Sequence, residues 1–190
     1  NEVNLSYSDN QVTVTTDYLT LVYTLNSEGY ASQCVYSLSS QNRIYQFSYS
    51  AEGYLTGIVE NIDNREYSST SLTYENGDIT SISSKMNGLE NKFIYEPGEE
   101  SSTYHLPCLG LLEIHPLTFH IEALYAGLLG KDPRHFTIRS CPAGSNDEKT
   151  IYSYEFDKKG NPSRMICQTT YAGGQASYYP YTRNISISFE

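Results

Sequence analysis

Tyr49-Ser-Ala-Glu-Gly53-Tyr-Leu-Thr-Gly-Ile58 decides the fold, because the chain keeps returning to it. Leu25-Asn-Ser-Glu-Gly29-Tyr-Ala-Ser-Gln-Cys34 and Phe156-Asp-Lys-Lys-Gly160-Asn-Pro-Ser-Arg-Met165 align with it without a gap. Tyr74-Glu-Asn-Gly77-Asp-Ile-Thr-Ser-Ile82 is one residue shorter in the turn, and Tyr95-Glu-Pro-Gly98 reads as a degraded copy. In each copy an apolar residue ends one strand, a short polar turn follows, and glycine supplies the positive φ that other residues tolerate poorly. Gly29, Gly53, Gly77 and Gly160 are therefore the structural turns, the first three spaced 24 residues apart. Such a period holds two strands and two connections, which predicts a meander of about 12 strands.

The flanking residues agree. Tyr45, Phe47 and Tyr49 alternate with Gln46, Ser48 and Ser50, and Tyr152, Tyr154 and Phe156 alternate with Ser153, Glu155 and Asp157. Period-two alternation means antiparallel strands with one apolar and one solvated face. Nineteen tyrosines and no tryptophan in 190 residues suit strands better than helices. The fold class is all-β, a strongly curved antiparallel sheet or partly open barrel. Residues 104–141 break the rhythm: Leu117, Ile121, Leu124, Tyr125 and Leu128 fall at helical spacing after Pro116 and before Gly130. This predicts one helix over about 116–130, packed on the sheet. The length fits a single domain, 1–190, with hairpin repeats over 1–103, the excursion over 104–141 and C-terminal hairpins over 142–190.

Twelve basic against 22 acidic side chains leave a formal charge of −10, and the basic ones are scattered, so a nucleic-acid partner is not expected. No apolar run approaches the roughly 18 residues of a membrane-spanning helix. The apolar strand faces are too short for the lipid face of an outer-membrane barrel and read as turned inward.

The hairpin copies, together with Tyr125-Ala-Gly-Leu-Leu-Gly-Lys-Asp-Pro-Arg134, resemble a family of uncharacterised cell-envelope lipoproteins from Bacteroidetes-type bacteria, described as having a porin-like fold. Each hairpin is also similar to the Tyr-Asp repeats of large secreted bacterial proteins. The resemblance implies an exported chain, periplasmic or anchored to the outer membrane, touching membrane only through a lipid anchor N-terminal to Asn1. It carries no catalytic residues and implies no cofactor.

All four histidines and two of the four cysteines lie in or beside the excursion: His105, Cys108, His115, His120, His135 and Cys141. These are zinc-type ligands, but their spacing matches no familiar ligand pair, so no metal is assigned. A Cys108–Cys141 disulfide would pin the ends of the excursion, while buried free thiols are the plainer reading. No Gly-x-Ser-x-Gly, phosphate-loop, dinucleotide or His-Glu-x-x-His motif occurs. Carboxylates such as Asp63, Glu66, Glu99, Glu100 and Glu122 offer pairs of the kind a glycosidase uses, as in any acidic chain. Tyrosine offers a flat face to sugar rings and a hydroxyl to bond, which makes Tyr30, Tyr54, Tyr67, Tyr171, Tyr178, Tyr179 and Tyr181 candidate ligand contacts. The expected function is a non-catalytic envelope module that binds a glycan, peptide or partner protein, or spaces other domains. A hydrolase acting on envelope or dietary polymers is the alternative.

Overall fold

The computed structural model describes residues 3–38, 41–101, 111, 114–145, 147–159, 162–170 and 181–186. Gly160 lies outside them. Among the described residues thirteen strands, close to the dozen expected, form one sheet: β1 (Asn4–Ser8), β2 (Gln11–Thr15), β3 (Thr20–Leu25), β4 (Ala31–Leu38), β5 (Gln41–Tyr49), β6 (Leu55–Ile62), β7 (Arg65–Glu75), β8 (Asp78–Met86), β9 (Leu89–Ser101), β10 (His135–Pro142), β11 (Lys149–Phe156), β12 (Pro162–Thr170) and β13 (Tyr181–Ser186). Each pairs with its sequence neighbours, antiparallel throughout, in the order β1 to β13. Among the described residues β1 and β13 do not pair, so the sheet stays open.

Repeated sequence produces repeated geometry at the hairpin ends. In the Gly29 turn, Asn26 Oδ1 accepts the backbone N–H groups of Glu28 and Tyr30; in the Gly53 turn, Ser50 Oγ accepts those of Glu52 and Tyr54. Gly29 and Gly53 hold φ of 85° and 91°. The next hairpin tightens to two residues, Asn76 and Gly77, both at positive φ. The tyrosines that follow Gly29 and Gly53 then reach sideways to the following hairpin. Tyr30 lies against Tyr49 and covers Gly53; Tyr54 stacks on Tyr74 at 4.9 Å and covers Gly77. A Cβ on Gly77 would stand 2.8 Å from the Tyr54 hydroxyl. Gly53 and Gly77 are thus fixed twice, by their own backbone and by a neighbour's ring.

The apolar face turns inward: Val12, Val14, Leu21, Tyr23, Cys34, Tyr45, Leu55, Ile58, Leu72 and Ile82 are buried, while Gln46, Ser48, Ser71, Thr73 and Lys85 stay exposed on the outer face. What covers the inner face is the excursion between β9 and β10, through Leu111, Ile114, Leu117, Leu124, Leu128 and Leu129. Its helical part is shorter than the spacing predicts. A 3-10 turn at Leu117–Phe119 leads into α1 (Ile121–Tyr125), and there the helix stops. Gly127 takes φ 69°, its N–H bonds to Leu124 O, and Leu128 N–H reaches back to Ala123 O. That six-to-one and five-to-two pairing around a left-handed glycine is the Schellman termination. Leu128 does face the core, but from beyond the helix, and Tyr125 is turned out to solvent.

Past α1 the chain becomes a strap across the hairpin ends. Leu128 O accepts from Ala31 N–H, Lys131 N–H donates to Gly53 O, and Arg134 N–H donates to Gly77 O. The spacing follows from geometry: successive hairpins lie two strands apart, roughly 9.6 Å, within the reach of three residues at up to about 3.3 Å each. His135 then locks to Asp78, with N–H on Oδ1 at 2.7 Å and Nδ1 on Oδ2 at 2.8 Å. Gly130 is the tightest point, where a Cβ would meet Gly53 O at 2.7 Å with φ already at 90°. Gly29 has the same sign of φ but open space around it. Gly29→Ala should therefore cost about 1–2 kcal/mol for left-handed backbone alone. Gly130→Ala should cost clearly more, read as the larger drop in urea midpoint at unchanged slope.

Candidate functional site

Six residues stand opposite one another across adjacent strands: Tyr23, Cys34, Tyr45, Glu60, Ser68 and Met86. Five of the six positions are filled by apolar or hydroxyl side chains; Glu60 is a carboxylate and is fully buried. A buried ion needs partners. Arg43 Nη1 and the Tyr45 hydroxyl donate to Oε1, each at 3.2 Å; Ser68 Oγ donates to Oε2 at 2.8 Å and His115 Nε2 at 2.6 Å. Burial pushes the Glu60 pKa up, but the bonds from His115, Ser68 and Tyr45 outweigh it, and the group sits below the usual carboxylate range.

His115 arrives from the excursion. Its carbonyl accepts Thr70 Oγ1 at 3.2 Å and Ser84 Oγ at 3.1 Å, so backbone and ring are both held by the sheet. Phe119 meets the imidazole edge-on at 5.7 Å and receives the Arg43 guanidinium on its face at 5.8 Å. Tyr67 is the extra residue of a bulge between Glu60–Ser68 and Asn61–Glu66, and its ring also meets His115 edge-on, at 6.0 Å.

His120 is buried behind this group and shares a 2.8 Å hydrogen bond with the Tyr23 hydroxyl through Nδ1. Rings of Tyr45, Phe47 and Tyr23 enclose it at 4.4, 5.3 and 5.8 Å. Burial lowers its pKa to about 3, with Glu60 pulling up and His115 pushing down. Burial also pushes the Cys34 thiol up to about 12, moderated by its hydrogen bond with Tyr23, so it is no nucleophile.

Beside His115 the inner face opens into a cavity of about 530 Å³. The excursion supplies Ile114 and His115; β8 and β9 supply Ser84, Phe93 and Tyr95; β10 to β12 supply Ser140, Thr150, Tyr152 and Thr169. Met86 and Leu89, at its β8–β9 end, are exposed. A second, shallower groove of about 620 Å³ lies where β10 and β11 part after two paired positions, and Phe136, Tyr154 and Phe156 fill the split.

Of the residues singled out in the sequence, His115 and Tyr67 meet at the site. Tyr30 and Tyr54 stand at the strap end of the hairpins, Tyr30 tilted against Tyr49 and Tyr54 stacked on Tyr74. Tyr181 stands opposite Thr169 in the strand register. Tyr171, Tyr178, Tyr179, His105 and Cys108 lie outside the described residues. The histidines are dispersed, His115 to Glu60, His120 to Tyr23 and His135 to Asp78. Among the described residues no three His, Cys, Asp or Glu gather as a metal site. Cys34 and Cys141 are thiols among the described residues, and the other half of the Cys108–Cys141 pair lies outside them. Asp63 and Glu66 lie at the β6–β7 turn, Glu99 and Glu100 at the far end of β9, and Glu122 on α1; these carboxylates do not converge as a set. Sequence reading missed Glu60, Arg43, Tyr45 and Ser68. The available signal was a carboxylate in phase with Ile58 and Ile62, where alternation calls for an apolar side chain.

Residues 1–164 match the model of a family described as a domain of unknown function (DUF4595) with porin-like fold. The crystal structure of a porin-like protein from Bacteroides uniformis superposes with a TM-score of 0.89 at 25% identity, covering 99% of this chain and 77% of that one. No curated protein matches.

The low pKa of His120 has a thermodynamic consequence. The unfolded chain takes up a proton below about pH 6.5 that the folded core refuses until about pH 3, so stability falls across that window as pH drops. The slope is roughly 1.4 kcal/mol per pH unit. His120→Phe should flatten urea-unfolding free energy against pH by about one proton between pH 6 and 4. Glu60→Gln should leave most of that slope above about pH 5, where a carboxylate is ionised in both states, and lower stability at pH 7 by roughly 2–3 kcal/mol.

Proposed function

The chain belongs to the DUF4595 family of domains with a porin-like fold, and we propose that it works as a non-catalytic, exported cell-envelope module that takes its ligand into the cavity beside His115. The observation that carries this reading is the cavity itself. The excursion's described side chains pack on the buried residues of the inner face, whereas about 530 Å³ is left open against Phe93, Tyr95, Tyr152 and a group of hydroxyls. A few polar groups set among aromatic walls are the usual composition of a ligand site.

Two further observations support the non-catalytic part. Glu60 is already bonded to four donors and held ionised, which suits an anchor for His115 better than an acid or base that must exchange protons with a substrate. Glu148 is the only carboxylate among the described cavity walls, so a pair flanking one bond is not assembled there. The export and envelope part rests on family resemblance, with the outer face in support: exposed Gln46, Ser48, Ser71, Thr73 and Lys85 suit water rather than lipid. Among the described residues no helix is long and apolar enough to cross a membrane.

A thermal-shift panel of glycans, peptidoglycan fragments and peptides tests this directly. A ligand at 100 times its dissociation constant adds about 2.7 kcal/mol, which raises the midpoint of a chain this size by roughly 5–10 °C. Asn91→Trp places a bulky ring at an exposed wall position of the cavity. It should abolish the shift and leave the ligand-free midpoint in place; a shift that survives it puts the ligand elsewhere. Product release from a bound polymer, followed by chromatography, would favour the hydrolase instead.

A further inference from the structure

The cavity wall carries an ordered row that its composition alone does not disclose. Tyr95 stands opposite Ser140, Ser140 opposite Thr150, Thr150 opposite Thr169, and Thr169 opposite Tyr181 in the backbone register. Tyr95, Ser140, Thr150 and Thr169 all line the cavity. Neighbouring strands lie about 4.8 Å apart, so the row crosses the sheet as a line of hydroxyl-bearing positions at that interval. The Thr150 and Thr169 hydroxyls are 2.9 Å apart, and Ser140 Oγ lies 3.0 Å from the Tyr152 hydroxyl.

Hydroxyls differ from other polar groups in that each donates once and accepts twice. Members of such a row can bond one another and still bond a ligand that also carries groups able to donate and accept. Charge narrows the ligand further. The described cavity walls include no Lys or Arg, the single full charge among them is Glu148, and the His115 ring is engaged by Glu60. The chain as a whole carries −10. A carboxylate, sulfate or phosphate entering the cavity would lose its water and find no lysine or arginine among the described walls to replace it.

Resting on the cavity reading above, we propose that the ligand is an uncharged oligosaccharide, lying across β9 to β12 with its hydroxyls on the Ser140, Thr150 and Thr169 row and its ring faces toward Tyr95 and Tyr152. The aromatic side chains suit the apolar faces of sugar rings, and the row suits their hydroxyl edges.

The test uses the whole chain with three probes of similar length: a neutral gluco- or manno-oligosaccharide, a polyuronate oligosaccharide and a lysine-containing peptide. Each is titrated calorimetrically into the parent, Thr150→Val/Thr169→Val and Asn91→Trp. The double valine variant keeps side-chain shape and strand preference and removes both members of one hydroxyl pair, so its melting midpoint should match the parent. The neutral sugar should bind, lose tenfold or more in affinity in the valine variant, and outcompete the polyuronate by at least tenfold. Equal binding of polyuronate and neutral sugar would overturn the proposal, as would neutral-sugar binding untouched by the valines. Peptide binding that Asn91→Trp abolishes and the valines spare would overturn this inference while leaving the cavity reading standing. Silence from all three probes would count against both.

Discussion

A sheet one layer thick has to bury one face against something, and the rest of this structure depends on how that is met. With thirteen strands curved around a single inner face, the cover comes from the chain's own excursion between β9 and β10. The cover is short of helix, since α1 has five residues and could not hold itself together in water. The sheet therefore has to hold it, and among the described residues two attachments stand out. One is the strap, bonded to the hairpin ends through Ala31, Gly53 and Gly77 and closed by His135 on Asp78. The other is His115, whose ring meets Glu60 and whose carbonyl meets Thr70 and Ser84.

These two attachments divide the labour between backbone and side chain. The strap works through main-chain bonds, for which sequence matters mainly as glycine: no other residue fits the gap between Gly53 O and the Tyr49 ring at Gly130. The second works through a buried ion, for which identity matters at every member. Removing one partner leaves a charge in a place from which water has been excluded. A buried carboxylate is an expensive way to hold a loop. What the ion adds is a single position for His115, and with it a fixed wall for the cavity.

How much of this was legible depended on whether the information is local. The hairpins are local: Gly29, Gly53 and Gly77 announce themselves through φ and spacing, and the side-chain caps at Asn26 and Ser50 come from within the same turn. The end of the helix was legible in principle, because Gly127 precedes Leu128, but an apolar residue at helical spacing hid it. Leu128 faces the core whether it ends a helix or begins a strap. Glu60 was not legible as a site, because its partners come from positions 43, 45, 68 and 115, brought together by register rather than sequence distance. The hydroxyl row is hidden for the same reason: Ser140, Thr150 and Thr169 are ordinary strand residues until the pairing sets them in line.

The three-residue step of the strap has a bearing on how such a fold changes in size. One hairpin of about two dozen residues advances the sheet by two strands, and the strap advances by three residues to keep pace. The two rulers run at different pitches along the chain yet must agree in space. A chain that gained or lost a hairpin alone would bring Lys131 and Arg134 to the wrong turns, whereas a paired change of one hairpin and three strap residues would keep every backbone bond in register. Growth in this architecture is therefore quantised, and the unit is a hairpin together with its share of strap.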